Sequence, residues 1–137
     1  MTEAASIWSA IGAGKARRAR HLFGADGRAV FVAMDHPAYL GMGVPADAVP
    51  SIAEGRPDAI LATWHLARAH PEAFAGSGLV LRVDGGIADM GEPASKEKTS
   101  LLYTAEQAMV LGADAVVIMI FPGTPDEERS LGRLAAL

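Results

Sequence analysis

The chain has 137 residues, half of them apolar and a fifth charged, with a net charge of −4 and a pI near 5.5. That composition fits one globular domain with a sizeable core and gives no support to nucleic-acid or anionic-membrane binding. The absence of cysteine excludes disulfides, thiolate metal sites and a cysteine nucleophile, and no apolar run approaches the ~18 residues of a membrane span.

The first residues, Met1-Thr2-Glu3-Ala4-Ala5-Ser6, lack a basic segment followed by an apolar one, so a cytoplasmic location is expected. Residues 2–12 read as a short leading helix and residues 15–23 as a basic turn or helix, whose Lys15, Arg17, Arg18 and Arg20 form a solvated face. Gly24-Ala25-Asp26-Gly27 turns the chain into its first apolar run. Four such runs follow, at 29–34, 59–62, 79–83 and 115–121, their starts about 20 to 36 residues apart. That is the spacing of βα units rather than hairpins.

Helix signals fill the gaps. Residues 46–54 read as a helix ended by Gly55-Arg56-Pro57, and residues 64–70 as one closed by Pro71. Residues 104–111 carry a capping box, Thr104 with Gln107, and stop at Gly112. Pro125 and Asp126-Glu127-Glu128 open a final helix, acids at its positive end, that still runs at Leu137.

Alternating strands and helices imply α/β architecture with a parallel sheet. Four βα units suit a small open sheet or half of a (β/α)8 barrel, which needs ~200 residues or more. The second option makes residues 1–137 a single domain that is the N-terminal half of a barrel, with a leading helical segment over 1–28 and four βα units over 29–137.

In parallel α/β folds, ligands bind where strands end. The first run, wholly apolar and so expected to be covered on both faces, stops at Asp35 and His36. Asp35 there can position an amine, hold a substrate hydroxyl or share in proton transfer, or it can cap a turn or pair with a neighbouring base. His36 is a substrate contact or a supporting hydrogen-bonder. The second run ends at Thr63, Trp64 and His65 on the same rim, with Thr63 and His65 as candidate substrate contacts and Trp64 read as packing. At the third, Arg82 and Asp84 alternate around Val83 and point to one side, either to pair with each other or to bind substrate. Gly85 and Gly86 supply a tight turn. Asp35, His36 and His65 lack the paired histidines of a barrel metal site, so no metal is expected. No glycine-rich phosphate motif opens a helix, so no nucleotide or other cofactor is expected.

These blocks resemble one family. Val30-Phe31-Val32-Ala33-Met34-Asp35-His36 is similar to the first-strand motif of archaeal-type class I fructose-bisphosphate aldolases and their DeoC/LacD-like relatives. These include the aminodideoxyheptulosonate synthases and the autoinducer-2 phosphate thiolases. Asp58-Ala59-Ile60-Leu61-Ala62-Thr63 resembles the second strand, and Leu79-Val80-Leu81-Arg82-Val83-Asp84-Gly85-Gly86 the third strand with its glycine turn. Residues 105–117 resemble the helix into the fourth strand, and Gly123-Thr124-Pro125-Asp126-Glu127-Glu128 the turn after it.

The resemblance, over residues 15–137, implies a TIM barrel that makes or breaks carbon–carbon bonds in a phosphorylated sugar or keto compound through a lysine Schiff base. It implies a homo-oligomer when full length and a catalytic role for Asp35. The family's lysine on strand six and its phosphate loops after strands seven and eight have no counterpart here. A Schiff-base amine must be unprotonated near neutrality, usually through burial. Lys15, Lys96 and Lys98 all lie in polar segments, so the nucleophile is absent from this chain. Pro37 stands where the family commonly has glycine, and Trp64-His65 also departs from the pattern. Two alternatives stand beside the aldolase reading. One is a non-catalytic half-barrel module. The other is a receiver-like domain phosphorylated on Asp35, which would require further acidic residues upstream and a late-strand lysine that the sequence lacks.

Overall fold

The computed structural model describes residues 12–40, 43–86 and 99–137. Helix α1 (Ala13–Leu22) leads into strand β1 (Phe31–Ala33), the one-turn helix α2 (Pro37–Leu40) and helix α3 (Ala48–Glu54). Strand β2 (Ala59–Ala62), helix α4 (Trp64–Ala69), a 3-10 turn (Pro71–Phe74) and strand β3 (Gly78–Arg82) follow. A ribbon of β4 (Asp84–Gly85) and β5 (Ser100–Leu101) precedes helix α5 (Ala105–Leu111), strand β6 (Ala115–Val117) and helix α6 (Glu127–Ala135). The expected helix over 2–12 lies outside the described residues, save Gly12, which caps α1. No described helix is long and apolar enough to cross a membrane.

Strands β1, β2, β3 and β6 form one sheet in that order, every pair parallel. Sequential order with helical crossovers is how a barrel wall is built. The register sets rows across the wall. Phe31, Ala59 and Gly78 form one, and Ala33, Leu61, Val80 and Ala115 the next. Their side chains face the barrel axis, where Ala59 and Val80 pack with Leu22, Phe23, Leu61 and Val117. The alternate residues Ile60, Ala62, Leu79, Leu81 and Val83 face the helix layer and pack with Val49, Leu66, Ala67 and Ala108.

Helix α1 closes the N-terminal end of this wall. A Cβ on Gly78 would stand 2.5 Å from the carbonyl oxygen of His21 and 2.8 Å from Leu22 Cδ2, so only glycine lets the helix approach. The local signals of α5 are realised as read: Thr104 Oγ1 accepts from Gln107 N–H, the Gln107 side chain accepts from Thr104 N–H, and Gly112 ends the helix at φ 92.

Three expectations need correction. Strand β1 is not covered on both faces: Phe31 and Ala33 are exposed and only Val32 is partly buried. It pairs with β2 alone, and no opposite wall covers its axial side among the described residues. Strand β6 stops at Val117 instead of running to 121, because the next amides leave the ladder for side chains. Met119 N–H donates to Asp84 and Phe121 N–H to Ser130 Oγ. The last helix ends at Ala135, its final amides folding back onto Arg133 and Leu134 carbonyls.

Candidate active site

Asp35, Arg82 and Asp84 meet at the C-terminal end of the wall, each positioned by the strand pattern. Asp35 lies two residues past Ala33 and Arg82 two past Val80, so alternation brings both one step up the same face. Arg82 Nε donates to Asp35 Oδ2 at 2.6 Å and its Nη2 lies 2.5 Å from the same oxygen. Its Nη1 donates to Asp84 Oδ1 at 3.1 Å. Asp84 is wholly buried, and both its oxygens are engaged: Oδ1 also accepts from the Tyr39 hydroxyl at 2.7 Å, and Oδ2 from Met119 N–H at 3.0 Å. Asp35 Oδ1 has no hydrogen-bond partner among the described residues.

Tyr39 also lies against the face of the guanidinium, with Arg82 Cζ 5.2 Å from its ring centre. Burial, reinforced by the hydrogen bond to Asp84, pushes its phenol well above the ordinary value of 10.0. For Arg82, burial works against the charge, but Tyr39 and the two carboxylates outweigh it and hold the guanidinium above its ordinary value. The cluster carries one cation and two carboxylates, a net charge of −1 with the phenol neutral.

Beside it lies a cleft of about 220 Å³, lined by Pro37, Ala38, Thr63, Trp64, His65, Arg82, Asp84, Leu102 and Tyr103. Thr63 caps α4 by accepting from Leu66 N–H at 3.4 Å. Trp64 stacks on Tyr103 with ring centres 4.7 Å apart. His65 is exposed on the cleft wall. His36 does not line this cleft; it is partly buried, and its carbonyl accepts from Tyr39 N–H. Lys15 is exposed on α1, whose C-terminal end packs at the opposite end of the wall. Lys96 and Lys98 lie outside the described residues.

Sequence reasoning brought Asp35, Arg82 and Asp84 to the rim but missed two of their partners. Tyr39 carries no motif; its place four residues past Asp35, in the turn that Pro37 opens, was the available signal. The Met119 amide depends on β6 ending early and had no signal at all. No group of three or more metal-ligating side chains occurs among the described residues.

No protein-family model matches the sequence, and no curated protein matches it. Solved structures do. A Schiff-base-forming fructose-1,6-bisphosphate aldolase matches with a TM-score of 0.63 and 21% identity, over 87% of this chain and 49% of that one. An archaeal fructose 1,6-bisphosphate aldolase matches with a TM-score of 0.62 and 19% identity over the same shares. The chain therefore spans about half the length of the solved structures it matches. At that identity the likeness establishes the fold: a partial TIM barrel, about four βα units of the wall that these aldolases carry.

Proposed function

We propose that these residues form the N-terminal half of a class I, Schiff-base-forming aldolase, a carbon–carbon lyase acting on a phosphorylated sugar or keto compound such as fructose 1,6-bisphosphate. The observation that carries this reading is Asp35, clamped on Oδ2 by Arg82 and without a partner on Oδ1 among the described residues, at the strand-end rim of an aldolase-like wall. A surplus negative charge beside a free carboxylate oxygen suits a protonated amine or an iminium carbon–nitrogen bond. Asp35 Oδ1 receives the amine's proton and returns it to the hydroxyl that leaves as the carbinolamine dehydrates. The lysine belongs to the other half of the barrel, and the phosphate to loops there.

On the same reading the protein is a cytoplasmic enzyme of carbohydrate metabolism that works as a homo-oligomer. The outward exposure of Met109 (61%) and Val110 (88%) on α5 supports an assembling surface.

Borohydride reduction in the presence of dihydroxyacetone phosphate, followed by peptide mass mapping, tests the assignment. The complete reading frame is expected to yield an adduct on a lysine outside these 137 residues, and the 137-residue chain none. An adduct on Lys15, Lys96 or Lys98, or none on any lysine of the complete protein, overturns it. A second reading, a non-catalytic half-barrel, is favoured by the ion pair already seated on Asp35 Oδ2; the absence of any adduct from the complete protein is its signature.

A further inference from the structure

We propose that Tyr39 and Asp84 are positioning residues that act through Arg82, holding Asp35 so that Oδ1 alone is presented to the rim. The inference rests on the role given to Asp35 above and assigns functions to residues that need not touch substrate.

The guanidinium is constrained from three directions. One edge donates from Nε to Asp35 Oδ2 with Nη2 in ion-pair contact with the same oxygen, the Nη1 end donates to Asp84 Oδ1, and one face rests against the Tyr39 ring. Asp84 cannot turn away, because the Tyr39 hydroxyl and the Met119 amide hold both its oxygens. Tyr39 is fixed in turn: its amide donates to His36, and the neighbouring Ala38 carbonyl accepts from Gly86 N–H at 3.0 Å. A Cβ on Gly85 would stand 3.1 Å from that Ala38 oxygen and 2.9 Å from Leu102 Cδ1, so the glycine turn lets the Asp35 loop seat against β4. Rotating the Asp35 carboxylate would break its contacts with Arg82, and the guanidinium could follow only by leaving Asp84 and the Tyr39 ring, which are held from α2 and the end of β6.

Stability alone does not account for this arrangement. Burying two carboxylates on one guanidinium leaves an uncompensated charge, and a buried ion pair seldom outperforms apolar packing of the same volume. Perturbed, mutually oriented charges at the mouth of a barrel are the signature of a prepared site.

The test compares Tyr39→Phe, Asp84→Asn, Arg82→Lys and Asp35→Asn in the complete protein, with fructose 1,6-bisphosphate cleavage as one readout. Tyr39→Phe is expected to lower kcat ~10–100-fold with KM little changed, and the loss should vanish in the Asp35→Asn background because both substitutions act at one carboxylate. Arg82→Lys, which keeps the charge but loses the fork, should lower kcat as well. The second readout is independent of the reaction: hydrogen exchange of the Arg82 Nε–H in nitrogen–proton spectra of the 137-residue chain. It should quicken on the order of tenfold in Tyr39→Phe and Asp84→Asn. Unchanged exchange in both variants, or a Tyr39→Phe loss of equal size with and without Asp35, overturns the proposal. If Asp35→Asn leaves no measurable cleavage, the exchange rate decides alone. Quickened exchange in a protein that never cleaves the sugar upholds the positioning role while removing the aldolase assignment.

Discussion

At the N-terminal end of the wall, Asp58 and Asp114 direct their oxygens at the backbone and a surface histidine, whereas at the C-terminal end Asp35 and Asp84 face a buried side-chain cation. Asp58 Oδ2 accepts from Val30 N–H at 2.7 Å, and Asp114 Oδ2 from Leu79 N–H at 3.0 Å while its Oδ1 meets the half-exposed His21 at 2.7 Å. Those contacts pin strand register and dock α1, and neither oxygen of Asp114 is left over. At the rim two carboxylates gather on one buried guanidinium, so the charges do not balance; among the described residues Asp35 Oδ1 has no partner, as Asp58 Oδ1 has none below. The same residue type serves as a backbone staple at one end and as a partner of a buried cation at the other. In barrels generally, the first end serves stability and the second carries the site.

The sharpest way to break the comparison is to remove the central charge from each end. Arg82→Met leaves two carboxylates buried without their cation, so a loss of about 3–5 kcal/mol is expected in urea unfolding. Asp114→Ala removes one backbone hydrogen bond and a contact to an exposed histidine, and about 1–2 kcal/mol is expected. Equal losses would mean that the rim cluster is held no more tightly than the staples below it.

A smaller effect isolates the closed end. Gly78→Ala drives a Cβ into the His21 carbonyl and the Leu22 side chain, and the lift of α1 should cost about 1–3 kcal/mol as overpacking does. On the aldolase reading, the complete protein should lose thermal stability at unchanged kcat, since Gly78 begins the strand that carries Arg82 only at its far end. A matched loss of rate would show that the two ends are mechanically coupled.

How far the sequence foretold all this depends on how local each feature is. The α5 cap, with Thr104, Gln107 and Gly112, was legible because its partners lie within a few residues of one another. The convergence of Arg82 and Asp84 was legible from strand alternation. Burial of β1 was misread because an apolar run such as Ala29-Val30-Phe31-Val32-Ala33-Met34 does not disclose whether both of its sides have neighbours. Val30 is 63% exposed. The length of β6 was overstated because side-chain acceptors on Asp84 and Ser130, distant in sequence, compete for its amides. The bond of Tyr39 to Asp84 spans 45 positions, beyond the reach of any periodicity.

The smallest effect is also the most selective for the rim. The Tyr39 phenol is raised by burial and by Asp84 above the 10.0 of an unfolded tyrosine, so folding favours its neutral form. The contribution is therefore fully present below about pH 10 and is lost as pH climbs toward the higher folded value, because only the unfolded chain gains from ionising. Wild type should melt above Tyr39→Phe near neutrality, and the difference in Tm should shrink as pH rises past about 10. Groups titrating in both proteins cancel in that difference, and the partial burial of Tyr39 keeps the difference in Tm small. Asp114→Ala, which touches only the closed end, should track wild type across the same range. A Tm difference between wild type and Tyr39→Phe that stays constant through the alkaline range would mean that the phenol does not report on Asp84, and the rim would lose the feature that most clearly separates it from the staples below.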